Sequence, residues 1–397
     1  MLAASTETMK KILILTASFG DGHNAAARNL RDGIELITDD AKVEVLDLFE
    51  SSYGTLNTLL KQTYQGLVRY APTVWSGVFA VLDNPVLFRR QIDTMGKLRS
   101  SLAAVLRDTE PDVVVSCYPV YAHLIQDIFR EHAERPFRFI TVVTDSISVC
   151  SAWYRAPSDL FVVANEPTAN VLAEAGIPKH RLKALGFPVS PIFAQERPAP
   201  LAGPRHGDRR KVLFVINTGK AKTGKSLDRL LKVPCLNLTI TVDRDASLRA
   251  KLSERFRDHG RRVSVYGWTN QIPRLLMSHH LVIAKAGGAM VQEAIAARCP
   301  IIVNQVIPGQ EEGNARLIKK LGVGAVAEAV RNSATWWRRP SPTRAANGRN
   351  GVTTWTKSAG RMPPSASPNL SLKKPATPAV GPLPSNSLRK FPAAASE

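Results

Sequence analysis

Apolar residues fall in short unbroken runs along most of the chain, and the segments between those runs carry helical spacing. Residues 11–16 (KILILT), 43–47, 112–116 (DVVVS), 139–144 (FITVVT) and 160–164 form a first set of runs. Residues 211–216, 238–242, 263–266, 281–284 and 301–303 form a second. Runs of this length without polar alternation read as strands buried on both faces, as in parallel sheets. Between them, residues 24–37, 121–132, 166–175 and 289–297 read as helices. Strand, helix, strand repeated in this way predicts βαβ units and two doubly wound α/β domains. The predicted boundaries are 1–195 for the first domain and 211–330 for the second, joined by a Pro-, Gly- and charge-rich linker over 196–210, ERPAPLAGPRHGDRR.

Residues 53–107 break the rhythm. They hold few strand signals and many aromatics, Tyr53, Tyr64, Tyr70, Trp75, Phe79 and Phe88, interleaved with Lys61, Arg69, Arg89, Arg90, Lys97 and Arg99. The pattern predicts helices broken near Pro72 and Pro85. One reading is an interfacial surface that dips aromatics into lipid while cations meet head groups. The other is a helical insertion whose apolar stripe faces the core. From residue 331 periodicity stops. The last 67 residues hold ten Pro and eleven Lys or Arg against one acidic residue, and they read as a disordered basic tail.

Composition changes the picture in one respect. A hydrophobic share of 44 % is ordinary, but a formal net charge of +20 over 397 residues favours an anionic partner. That partner is nucleic acid, an acidic membrane surface or a phosphorylated substrate, and about half of the excess charge sits in the tail. The four cysteines, Cys117, Cys150, Cys235 and Cys299, form no close pair and read as reduced thiols of a cytoplasmic protein. The N-terminal residues lack the apolar core of a signal peptide, Met9 is an alternative start, and no run of about 18 apolar residues predicts a membrane span.

Candidate chemistry sits at predicted strand ends, where open α/β sheets place ligands. Gly287-Gly288 follows the run at 281–284 and opens a helix, so backbone N–H groups there can approach an anion. Glu293 lies one turn further on the same face as Ala289, placed for a ribose diol. Gly20-Asp21-Gly22-His23 follows the first run, with His23 at a helix entrance as a candidate base. Asp145 ends the run at 139–144. Against these stand blander readings: a glycine turn, a solvated Glu293 and a capping or exposed His23. Residues 219–226, GKAKTGKS, match the P-loop pattern and make a nucleotide-hydrolase the runner-up. Asp243-Arg244-Asp245 resembles the D-x-D of some sugar transferases but lacks a third ligand nearby.

Taken in order, TASFGDGH, TVVTD, GFPVSPIF, GW followed by a β-strand, KAGGAMVQEA and NQVIPGQEEGN resemble the monogalactosyldiacylglycerol synthase and processive diacylglycerol glucosyltransferase family, over residues 10–328. The resemblance implies a GT-B fold: two Rossmann-like domains facing across a cleft, an inverting reaction and no metal or other cofactor. It implies a UDP-glucose or UDP-galactose donor and a diacylglycerol-type acceptor, at the cytoplasmic face of an anionic membrane. By the same resemblance His23 is the catalytic base. Gly20, Asp21, Gly22 and Asp145 serve the acceptor. Gly219, Trp268, Gly287, Gly288, Ala289, Glu293, Gln310, Glu311 and Asn314 serve the donor.

The chain departs from the family pattern at three places. Asn217-Thr218-Gly219 stands where a glycine-rich turn is expected, Tyr118 stands where His is expected, and the likeness stops near Glu328. A frame shift or a functional basic tail would each account for the last. A degenerate, non-catalytic binder of membrane or nucleic acid is the reading from a different class.

Overall fold

The computed structural model describes residues 9–70, 74, 77, 83–196, 209–216, 220–309 and 311–327. The tail, most of the linker, Gly219, Gln310 and much of 71–82 therefore lie outside the described residues.

The first domain is a six-stranded, all-parallel sheet. Its strands are β1 (Lys10–Leu15), β2 (Ala41–Leu46), β3 (Val113–Ser116), β4 (Arg138–Val142), β5 (Leu160–Val163) and β6 (Leu182–Ala184), in spatial order β2-β1-β3-β4-β5-β6. Leu13, Ile14 and Leu15 are almost wholly buried, as a central strand covered on both faces requires. Helix α1 (Asp21–Ile37) crosses to β2 and buries Ala26, Ala27 and Gly33. Helices α2 (Leu48–Tyr70), α3 (Pro85–Asp93) and α4 (Gly96–Thr109) form the helical stretch before β3. Helix α3 starts where Pro85 supplies a preset φ and the Asn84 side chain caps the Val86 and Leu87 N–H groups. Helices α5 (Val120–Ile128), α6 (Glu166–Glu174) and α7 (Ile192–Gln195) complete this half.

The second domain is also six-stranded and parallel. Strands β7 (Arg210–Ile216), β8 (Leu236–Val242), β9 (Val263–Tyr266), β10 (Leu281–Lys285), β11 (Ile301–Gln305) and β12 (Gly324–Val326) lie in the order β12-β11-β10-β7-β8-β9. Helices α8 (Lys220–Leu231), α9 (Ala246–Arg255), α10 (Ile272–Ser278), α11 (Gly288–Ala296) and α12 (Glu312–Leu321) alternate with them. Each sheet reverses its winding once, beside β1 in the first and between β7 and β10 in the second, and a crevice at such a reversal is where this architecture binds ligands.

All ten predicted strands are present. β6 and β12 were not predicted, because three-residue edge strands are too short to show a pattern. In the segment 53–107 the described aromatics Tyr53 and Phe88 pack on the core, and the exposed large apolar residues described there are the aliphatic Leu59, Val74, Val86 and Leu87. The P-loop reading is corrected: helix α8 begins inside the pattern, and Lys220 to Ser226 are already helical. Their N–H groups from the second turn onward bond within the helix and cannot wrap a phosphate. The D-x-D carboxylate Asp245 is a helix cap, accepting from the Leu248 N–H at 2.9 Å.

Candidate functional site

The first half of the site is the turn after β1. Asp47 accepts from the Ser18 N–H at 2.9 Å and from its hydroxyl at 2.5 Å. Asn24 donates to the same hydroxyl and accepts from Thr16. This network ties the turn to β2 and to the first turn of α1. Gly20 and Gly22 are not demanded by backbone or packing, since Gly20 is extended and a Cβ at either would meet nothing within 4 Å. Their smallness leaves the side facing the crevice open. Asp21 is exposed in the first turn of α1, where its charge suits the helix dipole.

His23 stands just inside α1. Its Nδ1 lies 3.0 Å from the Thr144 hydroxyl. Tyr118 and Trp153 wall the ring, with centroids 5.1 and 6.0 Å away. Burial lowers its pKa from 6.5 to about 4, partly offset by a hydrogen bond to the Cys117 backbone. His23 is therefore neutral at physiological pH, the state in which it can accept a proton. Asp145, next to Thr144, accepts from the Trp153 indole at 2.9 Å and from the Cys150 N–H at 3.3 Å. Burial, with the nearby charge of Asp83, raises it to about 6 against those bonds. Asp145 thus holds Trp153, the wall of the His23 pocket.

The second half is the start of α11. Gly287 and Gly288 open it directly after β10, with no side-chain cap on its N-terminus. Lys285 and Glu311 close over Gly287. The ammonium bonds Glu311 at 2.9 Å, and the other carboxylate oxygen accepts the Ile307 N–H. Glu311 is only 4 % exposed and has both oxygens engaged, so it sits behind the turn. Asn314 is 5 % exposed and donates to the Ala286 carbonyl, while its Oδ1 is buried without a hydrogen-bond partner. Glu293 is raised from 4.5 to about 7 by burial, with Arg28 on α1 opposing. Trp268 follows the edge strand β9, 60 % exposed, under the Arg244 guanidinium.

The two halves meet. Ala289 packs among Ala26, Ala27 and Cys117 of the first domain. A Cβ on Gly288 would stand 3.3 Å from the Thr144 carbonyl oxygen. Gln292 reaches the Ser146 hydroxyl at 3.4 Å, Arg316 bonds the Ser148 hydroxyl, and Gly313 lies against the Ser146 carbonyl. Thus His23, Gly287, Gly288, Ala289, Glu293 and Asn314 converge on one crevice, whereas Trp268 stands at the far edge of its sheet. Sequence reading missed Thr144, Lys285, Asp47 and Trp153. Polar residues at the carboxyl ends of apolar strands were the available signal for Thr144 and Lys285. Among the described residues, no group of three or more His, Cys, Asp or Glu is placed to hold a metal ion.

Comparison with known proteins agrees with this geometry. The family model described as monogalactosyldiacylglycerol (MGDG) synthase matches residues 23–189. A processive diacylglycerol beta-glucosyltransferase of Staphylococcus saprophyticus is 25 % identical over 326 residues, covering 80 % of this chain and 81 % of its own. The monogalactosyldiacylglycerol synthase of Spinacia oleracea chloroplasts is 26 % identical over 348 residues, covering 84 % and 66 %. Arabidopsis thaliana UGT89C1, solved with quercetin, superposes with a TM-score of 0.57 at 15 % identity, covering 91 % of this chain and 97 % of that one. S. aureus MnaA with UDP gives 0.54 at 12 %, covering 91 % and 95 %. The fold is GT-B, two Rossmann-like domains with their ligand edges turned toward each other. Over about four fifths of its length the chain is similar to the monogalactosyldiacylglycerol synthases and processive diacylglycerol glucosyltransferases.

Proposed function

We propose that this protein transfers a hexose from a UDP-sugar to a diacylglycerol-type lipid with inversion, at the cytoplasmic surface of an anionic membrane. The observation that carries the reading is the abutment of two helix entrances. Thr144, hydrogen-bonded to His23, touches the first residue of α11. That abutment supports a base and an anion-binding helix terminus on either side of one crevice, as a single displacement needs.

In that displacement the acceptor hydroxyl loses its proton to the imidazole of neutral His23. Its oxygen forms a bond to the anomeric carbon as the bond from that carbon to the UDP oxygen breaks, and the electron pair leaves with UDP. The unpaired N–H groups at the start of α11 meet the growing diphosphate charge. Lys285 lies beside them, its Nζ 3.8 Å from where a Gly287 Cβ would be, and adds a cation. Asn314 offers its unpartnered Oδ1 to a donor hydroxyl. Glu293 offers a carboxylate to the ribose, and Trp268 marks the side of the uracil. With the leaving charge met by these groups, the reaction needs no metal. Gly219 and Gln310, assigned to the donor by the family resemblance, lie outside the described residues, and Asp21 and Asp145 flank the acceptor side. On α2 and α3 the exposed Leu59, Val86 and Leu87, beside the exposed Arg90 and Lys97, form the face we assign to the anionic leaflet.

The test is UDP release from UDP-glucose and from UDP-galactose, with and without diacylglycerol in anionic vesicles, and in EDTA. Acceptor-dependent release that survives EDTA and falls at least ~100-fold in His23→Ala supports the reading. Folded protein that releases UDP with neither donor overturns it, and the donor that works identifies the sugar.

A further inference from the structure

We propose that Thr144 is a positioning residue for the transfer: its hydroxyl, hydrogen-bonded to Nδ1, fixes the His23 ring, and its carbonyl seats the start of the donor helix α11. The inference rests on the reading of His23 as the base.

Three observations carry it. First, the Thr144 hydroxyl lies 3.0 Å from His23 Nδ1, a full hydrogen bond, and Thr144 is only 7 % exposed. A hydroxyl can donate or accept, so this contact fixes the place and angle of the ring whichever nitrogen carries the proton. Second, the same residue's carbonyl oxygen would stand 3.3 Å from a Cβ at Gly288. One residue of the first domain therefore touches both the proton acceptor and the first residue of the diphosphate helix. Third, the chain just beyond Thr144 is fixed to the second domain by Ser146 against Gly313 and Gln292, and by Ser148 with Arg316. A shift of the second domain would thus reach His23 through Thr144. Tyr118 and Trp153 limit where the ring lies, and the Cys117 backbone holds it by a further hydrogen bond.

The experiment uses the full chain and UDP release with diacylglycerol in anionic vesicles, with kcat and donor KM measured separately. Thr144→Val removes the hydroxyl and keeps the branched shape. Thr144→Ser keeps the hydroxyl. Thr144→Ala gives the hydroxyl-free readout should the valine variant melt early. The expected result for Thr144→Val is a kcat lower by ~10–100-fold with donor KM and UDP affinity near wild type. Thr144→Ser should recover most of the rate. In a His23→Ala background Thr144→Val should cost nothing further, because groups that act as one unit are non-additive. Wild-type kcat in Thr144→Val, equal damage from serine and valine, or a loss that multiplies that of His23→Ala would each overturn the proposal. If His23→Ala itself left transfer intact, the base assignment would fall first. His23-dependent transfer with a silent Thr144→Val would sink the Thr144 role alone.

Discussion

Gly313→Ala is the sharpest test of how the two domains meet. The added Cβ would lie 1.8 Å from the Ser146 carbonyl oxygen and 2.7 Å from the Ser148 nitrogen. A carbon–oxygen contact of about 3.3 Å is the ordinary lower range, so something must retreat by about 1.5 Å. Neither neighbour is the end of a flexible side chain. Ser146 and Ser148 are closed on each other by a 2.7 Å hydrogen bond, and Ile147 N–H is held by Thr168 at 3.0 Å. The displacement therefore passes into the domain pairing or back to Thr144, two residues upstream. Overpacking of this kind costs about 1–3 kcal/mol. A misplacement near 1 Å between reacting groups costs on the order of 100-fold in rate. The expected outcome is a kcat about 100-fold lower, while UDP binding, which we assign to the second domain, stays close to wild type. Steady-state UDP release and calorimetric UDP titration read the two quantities. A folded Gly313→Ala protein with wild-type kcat would refute the idea that this contact sets the alignment of base and donor.

Three further outcomes follow from single groups. Glu293 has its folded pKa raised to about 7, so its stabilising contribution is complete below about 4.5 and is lost as pH rises through 7; the melting temperature of Glu293→Gln should gain on wild type between pH 5 and 8. The same ionisation supplies the carboxylate for the ribose, so UDP affinity should strengthen through pH 7 in wild type more than in Glu293→Gln. Asp47→Ala strips partners from the Ser18 N–H and hydroxyl and from the Phe49 N–H, and should lower denaturant stability by about 1–3 kcal/mol. Lys225 is exposed on a helix, so Lys225→Ala should change stability by less than about 0.5 kcal/mol and leave UDP release unaltered; loss of activity or of ATP binding there would restore the P-loop reading.

The sheets were legible because parallel strands buried on both faces leave unbroken apolar runs, and no other common element does so at four to six residues. The ligand edges followed from the same rule, since His23 and Gly287 each come directly after such a run. What escaped was set by contacts distant in sequence. Thr144 lies 121 residues from His23 and looks in sequence like the last residue of a strand. Glu311 reads as a free acid in GQEEGN, but Lys285, 26 residues earlier, takes one of its oxygens. The P-loop match failed for a local reason: Lys-Ala-Lys-Thr favours helix once a preceding strand has ended, and a pattern of residue types does not report where a helix begins.

The backbone at Ile147 ties these observations together. Its φ is +62°, a region that a β-branched side chain avoids, and Ser148 N–H closes onto the Ser146 carbonyl across it. Such a conformation costs about 1–3 kcal/mol and persists only where neighbours over-determine it. Here the neighbours are identifiable: Thr168 holds the Ile147 N–H, Gly313 fills the space under the Ser146 carbonyl, and Gln292 and Arg316 take the two serine hydroxyls. Two of the helices supplying these contacts, α11 and α12, also frame the donor crevice. The strained turn is thus the place where the first domain grips the elements of the second that we assign to the donor. An extended segment could cross the same gap without strain, but it would not turn the Ser146 and Ser148 groups into the two helix starts while leaving Thr144 beside His23. The strain is local, whereas the alignment it supports spans both domains.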